Sequence, residues 1–216
     1  MDTESKIIPK TFLWMFLGLL VTAGVAWYSY STDFFINIIA NGSWTVLLIV
    51  EVVVVLLFSF LFKKLPAPIV AILYFVYAII NGITLSVIFY TFELKSIIYL
   101  FLASAALFGV LGFIGFKTQV DLTKWHSIFF GVLIIGVILS IVNVFVGNSM
   151  LDIAIDWIIL MTFFGVTIYD MNRIRDLEYE EVINQNKAYI YGAMQLYLDF
   201  INIFIRILSL FGKRKD

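Results

Sequence analysis

The sequence predicts an all-α integral membrane protein, a bundle of seven transmembrane helices with the last helix central. Three observations carry that prediction. Of the 216 residues 62% are hydrophobic and only 13% charged, about half the charged share of an ordinary soluble domain. The apolar residues gather into seven segments of spanning length, and the links between them are short. The last segment carries a polar stripe that lipid would leave unsatisfied.

A span needs about 20 apolar residues at 1.5 Å per residue. The segments that meet this run from Phe12 to Tyr30, Trp44 to Phe62, Ile69 to Tyr90, Ile97 to Phe116, Trp125 to Val146, Ile153 to Asp170 and Ala188 to Phe211. In lipid each must be helical, because every backbone N–H and C=O then needs a partner inside its own segment. Helix breakers fill the links, at Asn41-Gly42-Ser43, Pro66-Ala67-Pro68 and Gly147-Asn148-Ser149. The polar stretches are too short for a separate soluble core, so residues 1–216 read as one membrane domain. The first apolar run is long enough to be a retained helix rather than a cleaved signal.

Basic residues set the orientation. Lys6, Lys10, Lys63, Lys64, Lys117, Lys124, Arg173, Arg175 and Lys187 fall on the side of the N-terminus and the even-numbered links, against only Lys95 on the other. That bias predicts a cytoplasmic N-terminus in a cell membrane. The tail Lys213-Arg214-Lys215 disagrees: either it emerges on the far side, or the last helix does not cross completely. With no cysteine in the chain, disulfides, thiol catalysis and cysteine-based metal sites are excluded. The net charge of −1 says nothing about partners; lipid is the expected surroundings, and no nucleic-acid partner is expected.

Asp170 closes the sixth segment and Asp199 lies inside the seventh. A charge at mid-bilayer costs about 3 kcal/mol on insertion scales, so both are functional candidates. With the turn placed at Asn184-Gln185-Asn186, equal arms bring the two to similar depth, provided that the sixth helix continues beyond Asp170. Gln195, Asp199, Asn202, Arg206 and Ser209 recur at spacings of four and three, which puts them on one helical face. Two carboxylates close together in low dielectric share a proton rather than both ionise, which makes such a pair a pH sensor. Ionised, the pair offers hard oxygen ligands suited to Ca2+. Lys63, Lys64 or Arg206 is a possible counter-ion in a closed state, although the two lysines read first as ordinary cytoplasmic flank residues. Glu51 reads either as the lining of an ion path or as a helix-end residue reaching the interface. Asn81, Thr84, Ser86 and Asn143 suit hydrogen bonding between helices, as Gly18, Ala23, Gly24, Gly109, Gly112 and Gly115 suit close packing. His126, the only histidine, sits at a segment boundary.

The stretch Leu196-Tyr197-Leu198-Asp199-Phe200-Ile201-Asn202-Ile203-Phe204, preceded by Ile168-Tyr169-Asp170, resembles the signature of the Bax inhibitor (transmembrane Bax inhibitor motif) family. Asn81-Gly82-Ile83-Thr84-Leu85 and Leu111-Gly112-Phe113-Ile114-Gly115 ahead of Asp121-Leu122 add to the resemblance, which spans nearly the whole chain. It implies seven helices with the last one central and, from the bacterial YetJ-like members, a pH-sensitive Ca2+ leak channel gated by paired aspartates at Asp170 and Asp199. A basic latch at the end of helix two is implied as well, where this chain has Lys63 and Lys64 instead of Arg. No cofactor is expected, Ca2+ being the transported ion, and no enzymatic step. A proton-coupled transporter and a non-transporting membrane regulator remain as alternatives. An intramembrane aspartyl protease fits less well, because Asp199 follows Leu-Tyr-Leu rather than Gly-x-Gly and no Pro-Ala-Leu motif follows.

Overall fold

The computed structural model describes residues 7–62, 64–176 and 185–215. In chain order its helices are α1 (Ile7–Ser31), α2 (Phe34–Ala40), α3 (Trp44–Leu61), α4 (Ala67–Leu85), α5 (Val87–Thr91), α6 (Leu94–Lys117), α7 (Thr123–Val146), α8 (Ser149–Asp176) and α9 (Gln185–Phe211). Among the described residues, seven stretches are long and apolar enough to cross a membrane: α1, α3, α4 together with α5, α6, α7, α8 and α9. The protein is an all-α, multi-pass membrane protein.

The helices bury the side that a soluble protein would expose. On α1 the buried residues are Ile7, Thr11, Met15, Gly18, Thr22, Ala26 and Ser29, a stripe with helical period that is mostly small or hydroxylated. Leu13, Phe16, Leu20 and Trp27 point outward and are exposed. In a membrane, lipid solvates such large apolar groups, while close packing and hydrogen bonds hold the inner face. Only 11% of the most apolar stretch of α3 is buried, against 56% for α9, so α9 has the least surface left for lipid.

Turn chemistry sets the helix ends. Gly42 and Gly147 adopt φ of 68° and 67°, the left-handed region that glycine enters without a Cβ penalty, and Gly147 ends α7. α4 opens with a proline in its first turn, where the missing N–H costs no helical bond. Three features depart from the sequence expectation. The third segment is broken at Ser86, whose N–H reaches the carbonyls of Gly82 and Ile83. A short helix, α2, fills the first link. At the last turn, Gln185 already belongs to α9, and Asn184 lies outside the described residues. α8 does continue past Asp170, as far as Asp176.

The chain divides into two compact units. The first comprises residues 1–92, 176–197 and 214–216, and the second residues 93–175 and 198–213. In the first, Gly18 admits the Tyr74 ring against the α1 backbone, and the Tyr74 hydroxyl donates to Trp14 O at 2.9 Å. In the second, Gly115 of α6 lies directly against Ile168 and Met171 of α8. A Cβ at Gly24, Gly109 or Gly112 would meet nothing within 4 Å, so among the six small residues expected to pack closely the glycines at which a helix neighbour presses on the missing Cβ are Gly18 and Gly115. Phe101 and Phe108 of α6 pack edge-on against Phe200 of α9 in the second unit.

The C-terminal tail is tied to the link between α5 and α6. In the first unit Lys215 N donates to Thr91 O and its Nζ to Phe89 O at 2.6 Å. In the second unit Glu93 N donates to Lys213 O, and Lys213 Nζ pairs with Glu93 at 2.5 Å. The basic tail therefore emerges beside an odd-numbered link, and Glu93 supplies its counter-charge there.

Candidate functional site

Both units hold buried polar clusters among the described residues. In the second unit α8 carries Asp170 on its inner face, 5% exposed, and α9 carries Asp199, 3% exposed. The two carboxyl groups are near enough to interact electrostatically. Thr167, one turn before Asp170, stands beside Asp199, while its own hydroxyl donates to Phe163 O at 2.8 Å. Arg173, one turn after Asp170, acts on it electrostatically and donates to the Tyr169 hydroxyl at 3.1 Å. Among the described residues nothing hydrogen-bonds to the buried Asp199 Oδ2. Leaving a buried carboxylate oxygen without a donor costs more than leaving a neutral group so. A proton or a hard cation on the pair removes that cost.

A second charged layer lies between the same two helices, nearer the end of α9. Asp156, 8% exposed, accepts from Arg206 NH1 through Oδ1 at 2.6 Å and from the Ser209 hydroxyl through Oδ2 at 2.5 Å. Arg206, one of three possible counter-ions for the Asp170–Asp199 pair in the sequence reading, is bound to Asp156 here. The reason lies in the register: Asp156 faces the C-terminal part of α9, where Arg206 and Ser209 project. Asp156 was missed, although its spacing from Asp170 puts both on one face of α8.

In the first unit the cluster around Glu51 is hydrogen-bonded throughout, although Thr11 Oγ1 and Ser29 Oγ elsewhere in that unit have no partner among the described residues. Glu51 of α3, half-buried, accepts from Asn81 Nδ2 through Oε1 at 2.7 Å and from the Thr84 hydroxyl through Oε2 at 2.9 Å. The Tyr197 hydroxyl lies 2.6 Å from Thr22 Oγ1 and donates to Asn81 Oδ1 at 3.1 Å, and Thr22 donates to Ala78 O at 3.0 Å. In the sequence Tyr197 stood out only as part of the signature stretch, because an aromatic in an apolar helix reads as packing.

The remaining candidates are dispersed. Gln195 is half-buried in the first unit. Asn202 donates to Leu198 O of its own helix at 2.8 Å. Lys64 is exposed in the turn after α3, and Lys63 lies outside the described residues. Asn143 braces the α7–α8 turn through Asn148 O, and His126 stacks on Phe130 and meets the Tyr169 ring.

A family model described as Bax1-I, "Inhibitor of apoptosis-promoting Bax1", matches residues 4–216. The chain is 33% identical over 214 residues to the inner membrane protein YbhL of Escherichia coli strain K12, covering 96% of this chain and 92% of YbhL. It is 31% identical over 218 residues to a protein of Deinococcus radiodurans, covering 100% and 94%. A protein of Borreliella burgdorferi is 29% identical over 222 residues, with 99% and 94% covered.

Proposed function

Because this chain belongs to the Bax inhibitor family, we propose that it is a passive Ca2+ leak pathway of the cell membrane, tuned by pH through Asp170 and Asp199. The observation that carries this reading is the interacting buried carboxyl pair in α8 and α9 whose Asp199 Oδ2 has no donor among the described residues. Protonated, the pair is neutral and compatible with its burial. Ionised, it presents hard oxygens of the kind that Ca2+ ligates. Protons and Ca2+ thus compete for the same atoms, and pH sets how much of the site is open to the ion. No bond of a substrate is made or broken in this function, and no cofactor takes part. The bias of basic residues supports a cytoplasmic N-terminus, and the likeness to YbhL, an inner membrane protein, supports the cell membrane as its location.

The test is Ca2+ entry into dye-loaded liposomes containing the full chain, measured from about pH 5 to about pH 8. Wild type is expected to admit Ca2+ down its gradient with a rate that changes with pH. Asp170→Asn and Asp199→Asn are each expected to flatten that pH dependence. Identical pH profiles in wild type and both variants would sink the role of the pair. Proton movement that requires a substrate gradient would favour a coupled transporter instead.

A further inference from the structure

The layer formed by Asp156, Arg206 and Ser209 differs chemically from the aspartate pair. Asp156 and Asp170 share one face of α8, separated by about 21 Å along the helix axis. Asp199 and Arg206, seven positions apart, share one face of α9. Two polar layers therefore lie along the contact of these helices within the second unit.

At the Asp156 layer both carboxylate oxygens are occupied, Oδ1 by Arg206 and Oδ2 by Ser209. The ion pair is consequently single-point. A guanidinium and a carboxylate commonly meet through two parallel N–H···O bonds, and here Ser209 holds the second oxygen. Arg206 Nε is buried without an acceptor among the described residues. That unmet donor makes the cation easier to displace than a bidentate pair would be. The Arg206 side chain keeps 28% of its surface exposed, so protein does not enclose the guanidinium on every side.

We propose that Arg206 is a tethered cation occupying Asp156 in place of a permeating divalent ion, so that this layer is a second closure of the leak, opened by ion exchange rather than by protonation. The proposal rests on the leak reading above. A guanidinium stays charged across the physiological pH range, so a rise in pH cannot release it. A divalent cation of the Ca2+ class takes carboxylate and hydroxyl oxygens together, and Asp156 with Ser209 supplies both. Arg206 and the divalent ion compete for Asp156 because two cations on one carboxylate repel each other. With Arg206 in place the layer is neutral; without it, the layer carries one negative charge facing the ion.

The test compares Ca2+ entry into liposomes at fixed pH for wild type, Arg206→Gln, Arg206→Lys, Asp156→Asn and the double variant Asp156→Asn with Arg206→Gln. Removing the tethered charge is expected to speed entry at least about fivefold in Arg206→Gln, with the pH midpoint unmoved. Arg206→Lys keeps the charge and should stay near wild type. Asp156→Asn leaves the guanidinium without its counter-charge and should slow entry, and the double variant should recover what the single one lost. Should Asp156→Asn fail to fold, Arg206→Gln and the double variant still decide. The closure falls, with the leak reading intact, if wild type admits Ca2+ and Arg206→Gln does so no faster, or if Arg206→Lys is as fast as Arg206→Gln. If wild type admits none while Arg206→Gln does, the closure stands and the wild-type leak falls. If neither admits Ca2+, both fall.

Discussion

Glu51 and Asp199 are both carboxylates on helices apolar enough to cross a membrane, yet their surroundings differ atom by atom. Glu51 has a dedicated donor for each oxygen, Asn81 for one and Thr84 for the other. Asp199 sits beside a second carboxyl group and keeps a buried oxygen with no donor among the described residues. A fully connected polar network fixes helix positions, whereas an incompletely satisfied one is held at a cost to stability. Such a cost is typical of sites kept for binding rather than for the fold. Charge inside a membrane helix is thus an incomplete guide to function, and the state of each oxygen separates the two clusters.

Asp199→Asn breaks the comparison at its stronger side. Its Ca2+ entry rate is expected to fall about tenfold if a hard-cation ligand is lost from the pair. Thermal unfolding in detergent should show no loss of stability, because the amide replaces a buried group able to carry unpaired charge with a neutral one. A large drop in unfolding temperature would instead identify Asp199 as a structural residue.

Tyr197→Phe tests the other side, with the effects reversed. The Tyr197 hydroxyl donates to Asn81 Oδ1 at 3.1 Å, and Thr22, which lies against it, donates to Ala78 O. Removing that hydroxyl strands an acceptor at a buried amide, with an expected loss of about 1–3 kcal/mol. Ca2+ entry per folded molecule should remain at the wild-type rate. A strong change in flux with unaltered stability would move the first unit's cluster into the ion route.

The two carboxylates were legible in the sequence but their contrast was not, since Glu51 read only as an ion-path or helix-end residue, and the missing parts have physical causes. The seven apolar segments stand out because hydrocarbon thickness fixes their length, and Asp170 and Asp199 stand out because charge is rare there. The interruption between α4 and α5 at Ser86 was hidden, since the same apolar residues lie on both sides of it. Arg206 was readable as a charge but not by partner. Its choice of Asp156 depends on the register of α8 against α9, and that register was inferred from a turn at Asn184-Gln185-Asn186 where α9 has already begun at Gln185. Tyr197 and Thr22 were unreadable because their roles rest on contacts far apart in the chain.

Glu51→Gln has the smallest expected effect and draws the finest line between the clusters. A glutamine retains one oxygen, which can face Asn81 Nδ2 as Glu51 Oε1 does at 2.7 Å. Its amide nitrogen then faces Thr84, whose hydroxyl must accept instead of donate. Thr84 can do so because its proton has a second acceptor, Ile80 O at 3.2 Å. Every group keeps a partner, so unfolding should shift by less than about 1 kcal/mol, with Ca2+ entry unchanged. Glu51→Ala leaves Asn81 Nδ2 without its acceptor and should cost more than the glutamine variant. If Glu51→Gln nevertheless abolished entry, the charge of Glu51 rather than its hydrogen bonds would be what matters, and full satisfaction of its oxygens would no longer distinguish a structural carboxylate from a working one.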